Sequence, residues 1–354
     1  MSHEHLFPEP ALFNPIEALY EAESLKILID VLPAIEILVE QIADEPALIS
    51  WSRRIAYQDK PRLVPELRRH FIKLARQIDE LRDTYPLRHV PLHTDIFLQC
   101  LDKFFPYGIA NQYTNNLKNR IAECIYEIHL SIRHPDIKQE LRVIERKHNR
   151  QKDKVKNLLD GLFDYYSRLL VHRIDLGYQI GCVPSLNQVQ DDLERFLRYL
   201  REQHGQQGEA FIGYIWKLEY GLMKGWHLHL LVILDGNRVQ RDVTHARIMC
   251  DYWMNHITQG NGVAYNCNAR KDEYRHCGIG MVQRHDRIMR NDVYQAALYL
   301  TKPDLLCMAA CEDEAAKAQK AGYYELARRL EKARQFGTSQ LPKPTMIRRG
   351  RPRD

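Results

Sequence analysis

Two histidines one residue apart, His227 and His229, stand inside the apolar run "WHLHLLVILDG", and Glu219 precedes them across the glycine-bounded stretch "GLMKG". In a strand, alternate side chains share a face, so both imidazoles point one way while Leu228 and Leu230 point into a core. If residues 221–225 form a hairpin loop, Tyr220 pairs with Trp226 and Glu219 stands opposite His227, with Cβ atoms roughly 5 Å apart. Two imidazoles and a carboxylate on rigid strands suit a divalent ion such as Mg²⁺ or Mn²⁺ and leave coordination positions open for substrate oxygens. The plainer alternative is a solvated sheet face on which Glu219 pairs with one histidine.

A second set lies further along, in "NDVYQAALYLTKPD". Tyr299 and Lys302 are three apart, hence on one face of a helix, with Gln295 a turn earlier and Val293, Ala297 and Leu300 on the opposite, apolar face. A tyrosine hydroxyl is a poor nucleophile at neutral pH and needs a cation or metal nearby. A metal on Glu219, His227 and His229 would polarise a phosphodiester, and Lys302 would neutralise charge developing on it. The ordinary alternative for Tyr299 is a packed aromatic with its hydroxyl at the surface. Tyr294 is the rival nucleophile, but it lacks a lysine three residues on and is rotated well away from Tyr299.

The elements that must position these residues change in style near Leu169. The first half reads as helical: "NPIEALYEAESLKILIDVL" has Asn14 as N-cap, Pro15 at the first helical position and Glu17 completing a capping box, and Leu67, Phe71, Leu74, Ile78 and Leu81 mark one helical face. After His134-Pro135 a basic helix runs from about Asp136 to about Leu170. From there "LLVHRIDLGY" is strand-like, "SLNQVQDDLERFLRYLREQHG" is an amphipathic helix, and "AFIGYIWKLEY" and "WHLHLLVILDG" are strong strands. A helix "THARIMCDYWMNHI", a strand-and-loop region over residues 262–283, and the helix "NDVYQAALYLT", ended by Pro303, complete the order β-α-β-β-α-β-α. That order fits an α+β, ferredoxin-like sheet with helices on one face and one extra helix elsewhere.

The chain of 354 residues carries a net charge of +5, and the distribution of charge says more than its size. Residues 138–157 hold eight Lys or Arg against three acids, and the last seven residues, "RRGRPRD", hold Arg348, Arg349, Arg351 and Arg353. Such clusters suit a polyanion, although a solvated helix face is the usual meaning of one charge run alone. The tail also contains an Arg-Gly-Arg-Pro core similar to AT-hook peptides, with non-specific phosphate binding the safer expectation. Eight scattered cysteines with no export signal favour reduced thiols. Cys267, His276 and Cys277 lack a recognisable zinc spacing. "SLKILIDVLPAIEILVEQIA" is broken by Lys26, Asp30, Pro33, Glu36 and Glu40, so no membrane span is expected and a cytoplasmic location is.

The pair "HLH", preceded by Glu219 and followed by "YLTK", resembles the HUH endonucleases, which start rolling-circle replication by nicking one DNA strand. "LLVHRIDLGY", the "GWHLHLLV" strand, "YLTKPD" and the arginine-rich end resemble more closely the inovirus-type replication initiators of filamentous phages and prophages. The resemblance covers about residues 165–305 and the tail. It implies an HUH-type sheet domain, His227 and His229 as metal ligands with Glu219 as the third, Tyr299 as the nucleophile that becomes joined to a 5′ phosphate, and Lys302 as its helper. Single-stranded or supercoiled origin DNA would be the substrate, and host replication proteins are possible partners. A relaxase or transposase of the same superfamily, a prophage DNA-binding protein without activity, and a metallohydrolase using activated water are the competing expectations. Arg173 and Asp175, on one face of the first strand, would lie near DNA or the metal, or form a structural ion pair. The expected organisation is a helical N-terminal region (1–135), a basic linking helix (136–168), the HUH-like domain (169–305) and a helical, basic C-terminal tail (306–354).

Overall fold

The structure, a computed structural model, describes residues 15–46, 48–49, 64–81, 90–110, 116–206, 210–274 and 277–341. Asn14, His276 and the tail arginines Arg348, Arg349, Arg351 and Arg353 lie outside the described residues. The chain divides into two compact units, residues 1–142 and 143–354.

The first unit is helical. It contains α1 (Pro15–Asp44), α2 (Pro65–Leu81), α3 (Leu92–Phe104) and α4 (Leu117–Ile132). On α2, the apolar positions picked out by their helical spacing, from Leu67 to Leu81, are all buried. Phe71 meets Phe97 of α3 with ring centroids 5.5 Å apart, among Ile35 and Val39 of α1 and Ile125 and Ile128 of α4. The carboxylate of Glu36 accepts from the backbone N–H and hydroxyl of Thr94, at 3.1 and 2.8 Å, in the first turn of α3. It thereby satisfies an N–H that the helix itself leaves without a partner.

Helix α5 (Pro135–Tyr165) contains the division between the units and ends five residues before the point the sequence suggests. The reason is that Leu169 and Leu170 belong to the first strand, where they pair with Asp235 and Leu234. That strand, β1 (Arg168–Tyr178), opens an antiparallel six-stranded sheet with β2 (Phe211–Gly221), β3 (Gly225–Asp235), β4 (Gly262–Asn266), β5 (Gly280–Gln283) and β6 (Phe336–Thr338). The strand order is β4-β1-β3-β2-β6, with β5 also pairing β1. Along one side of β1, β5 occupies Arg168–Val171 and β4 occupies Ile174–Tyr178. Strand β6 covers the outer edge of β2, a pairing that removes an exposed edge. With only three residues it carries no period for the sequence to show, and it lies in the stretch expected to be only a helical and basic tail.

Both faces of the sheet are covered, not one. Leu169, Val171, Ile215, Leu231 and Ile233 pack against Val155, Leu158, Leu159 and Leu162 of α5 and Val293 and Ala297 of α8 (Arg287–Tyr299). On the other face, Tyr178 meets Trp253 edge-on and donates its hydroxyl to Asp192 at 3.0 Å. Those contacts seat α6 (Leu186–Gln206) and the end of α7 (Asp242–Tyr252), which continues as a π-helical turn to Ile257. Helices α9 (Leu305–Lys320) and α10 (Tyr324–Glu331) lead from α8 to β6. No helix among the described residues is long and apolar enough to cross a membrane.

Candidate metal centre and tyrosine turn

The ladder between β2 and β3 sets Glu219 opposite His227, Lys217 opposite His229 and Tyr220 opposite Trp226, the register read from the hairpin loop. The turn closes at Gly225, whose φ of +62° lies in the left-handed region that glycine adopts without a Cβ penalty. Because side chains alternate, Lys217, Glu219, His227 and His229 share one face, and Asp175 of β1, opposite His229, joins them. This is the face that carries the α5–α8 core nearer the other end of the strands. His227 and His229 are therefore only 19% and 15% exposed, half-buried where a freely solvated face would leave them open.

Glu219, His227 and His229 offer three ligand atoms that all lie within 4.8 Å of one another, and they are the only such group of three among the described residues. The Nε2 atoms of His227 and His229 both approach Oε2 of Glu219, at 3.4 and 3.1 Å. Their other ring nitrogens are engaged. Nδ1 of His227 lies 3.1 Å from the carbonyl of Gly225, which can only accept, and Nδ1 of His229 lies 2.6 Å from Oδ1 of Asp175. Those acceptors place the ring proton on Nδ1 and leave the Nε2 lone pairs facing a carboxylate. Lone pairs and an anion do not gather unless a positive species sits among them, which is either a proton or a metal ion. The donor set thus fits a divalent cation, with Asp175 orienting His229 from behind in the way carboxylates orient metal-bound imidazoles.

The electrostatics agree with that geometry. Burial opposes the charged form of each group, and in each case the partners outweigh it. Asp175 and Glu219 push His229 up to about 9. His229 and Arg173 hold Asp175 down to about 2. Hydrogen bonds from His227 and His229 keep Glu219 well below the usual carboxylate range. Arg173 contributes an ion pair of 3.3 Å to Asp175 and lies 3.5 Å from Nδ1 of His229, too far to compete with the 2.6 Å contact. Of the two expectations for Arg173 and Asp175, the ion pair is present, and Asp175 also reaches a ligand of the candidate metal centre.

Helix α8 begins at Arg287, where Asp286 accepts from the N–H groups of Ile288 and Met289, and ends at Tyr299. Lys302 is consequently not on the helix. It follows in a turn whose N–H groups at Thr301 and Lys302 donate to the carbonyls of Leu298 and Tyr299. The two side chains still meet, because the turn folds back: Nζ of Lys302 stands 4.7 Å from the centre of the Tyr299 ring. Tyr299 is 52% exposed, so its ring is open to solvent. Tyr294 is held differently. Its hydroxyl donates to Asp160 and its ring stacks on Phe163, and burial with that bond pushes it up to about 12.

Three bonds fasten the turn and the residues after it. Nδ1 of His148 on α5 lies 2.6 Å from the carbonyl of Thr301. Nζ of Lys217 donates to the carbonyl of Lys302 at 2.5 Å, and Asp304 accepts from the N–H of Tyr220 at 3.3 Å while capping α9 through Cys307. Lys217 did not emerge from the sequence. The signal was its place two residues before Glu219 on the same strand face, but a strand lysine there reads as solvent-facing unless the covering helices are known. The α5 contact also sets exposed Lys147, Arg150, Lys154 and Lys156 on the helix that runs past this turn.

All eight cysteines are unbridged, and burial raises the thiols of Cys250 and Cys267 to about 12. A scan against protein-family models, a search of curated proteins and a search of solved structures each return no match for this chain.

Proposed function

We propose that the chain is a divalent-metal-dependent single-strand DNA nicking and joining enzyme of the HUH type, one that starts rolling-circle replication of a phage, prophage or plasmid-like element. The observation that carries this reading is the convergence of Glu219, His227 and His229 on one point of a sheet face to which the turn bearing Tyr299 and Lys302 is bonded. A strand order of β4-β1-β3-β2, with α6 and α7 as the crossovers, supports the ferredoxin-like core of that reading.

The chemistry follows from the side chains. The hydroxyl oxygen of Tyr299 attacks phosphorus, its proton leaving to water, and the bond to the 3′ oxygen breaks. The downstream strand stays joined through its 5′ phosphate, and a 3′ hydroxyl is freed as primer. Lys302, beside the ring, offsets negative charge as it builds on the phosphoryl oxygens. A Mg²⁺ or Mn²⁺ ion on the two Nε2 atoms and Glu219 would supply Lewis-acid polarisation of the same phosphodiester. The exposed cations of α5 would hold the strand by its phosphates.

The test incubates the protein with a 3′-labelled single-stranded DNA library and Mn²⁺. Label should become covalently bound to wild-type protein and not to Tyr299→Phe. His227→Ala and His229→Ala should abolish nicking and retain most DNA affinity, because phosphate contacts supply most of it. Cleavage that persists in Tyr299→Phe assigns the reaction to water or to Tyr294 and ends this reading.

A further inference from the structure

Lys217 is 3% exposed, at a sheet position where a long cationic side chain would ordinarily run its stem along the surface and keep its ammonium in water. A buried ammonium is costly unless charges and hydrogen bonds compensate it. Here the carboxylates of Asp304 and Glu219 supply favourable opposite charge, and among the described residues the one acceptor that Nζ reaches is the carbonyl of Lys302. An apolar residue would fill the same space without that burden. The ammonium therefore has a use, and its bond shows where to look.

Lys217 stands opposite His229 and two residues from Glu219, so it belongs to the strand that carries the candidate metal ligands. The acceptor it bonds among the described residues belongs to the turn that carries Tyr299. Three residues further along β2 and two further along the turn, the N–H of Tyr220 meets Asp304. The segment 302–304 is thus fastened to β2 by two bonds, while His148 holds the preceding carbonyl from α5. Of the bonds to β2, the one from Lys217 is the closer to Tyr299. Nothing else on β2 that bonds the turn can be removed by changing one side chain of that strand, since the Tyr220 donor is backbone.

We infer that Lys217 is a positioning residue: through the carbonyl of Lys302 it sets the Tyr299 turn at a fixed distance from the metal ligands on β2 and β3. It touches neither substrate nor metal and acts only through the turn. The inference rests on the nicking reading for its purpose, but its geometry can be measured without any reaction.

The experiment replaces Tyr299 by 3-fluorotyrosine and reads the broadening of its fluorine signal by Mn²⁺, in full-length protein and in Lys217→Met, which keeps the side chain's length and apolar fill and removes the donor. Wild type should broaden strongly, and the variant should broaden severalfold less while binding Mn²⁺ as tightly by calorimetry. In protein with ordinary tyrosine, the first-order rate of adduct formation on the single-stranded library should fall by about 100-fold, the loss expected for a displacement near 1 Å, with half-saturation by DNA unchanged. Equal broadening in both proteins overturns the role of Lys217 and leaves the nicking reading standing. A wild-type signal that ignores bound Mn²⁺ overturns the metal-and-tyrosine site itself, and the tether with it. Should Lys217→Met fail to fold, Lys217→Arg takes its place: its longer, forked head must push the turn away, and unchanged broadening with an unchanged rate in that variant overturns the inference.

Discussion

Glu219 with an imidazole Nε2 on either side is an arrangement that requires a positive species, and the proton is the competitor of the metal. His229 holds that proton up to about 9 against an ordinary value of 6.5, with burial opposing and Asp175 and Glu219 prevailing. Because its folded value is raised, the imidazolium adds stability to the metal-free protein that is fully present below about pH 6.5 and is lost as pH rises through about 9. Asp175, held down to about 2, acts with the opposite sign: its contribution is present above the usual carboxylate value and is lost as pH falls toward 2. Mn²⁺ must displace the proton of His229, so its apparent affinity should climb as pH rises toward about 9 and its binding should release protons. Calorimetry in two buffers of different ionisation enthalpy measures both quantities. An affinity that stays flat between pH 6 and 9, with no proton release, would place the metal somewhere other than His229.

At the scale of elements, the hairpin and its register were legible because the loop is short and glycine-bounded, which fixes who faces whom. The pairing of Asp175 with His229 was not, since the β1–β3 register depends on chain segments far apart in sequence. Lys302 shows a different limit: spacing put it on a helix with Tyr299, but the helix stops at Tyr299 and a turn restores the contact. The approach of α8 to the chain before β5 is set by Gly278, where an added Cβ would meet the backbone of Asp292 and Val293 at 2.6 and 2.8 Å. Backbone cannot move aside as a side chain can. Gly278→Ala should therefore cost about 1–3 kcal/mol of stability in denaturant unfolding, and it should slow adduct formation more than it weakens Mn²⁺ binding, because it displaces the helix of Tyr299 and not the hairpin. An unchanged midpoint would mean that α8 is free to shift.

For the molecule as a whole, the division between the two units falls within α5, and among the described residues the candidate metal ligands lie in the second. The helical character of the first was legible from Leu67, Phe71 and Leu74, but a buried apolar stripe reports packing and carries no information about a partner. The basic residues of α5 were legible as a cluster, and what the sequence could not show is that the helix passes the turn after Tyr299, where His148 meets Thr301. The proposed reaction needs all of these parts: DNA guided by cations, a phosphodiester held at the hairpin, and Tyr299 as the group that takes the strand. The measurement that addresses it most directly is peptide mapping of full-length protein after reaction with the single-stranded library and Mn²⁺. One modified peptide is expected, with a 5′-phosphorylated nucleotide on Tyr299, and none when Mn²⁺ is chelated. A nucleotide on Tyr294, or cut DNA bearing a free 5′ phosphate and no protein adduct, would contradict it.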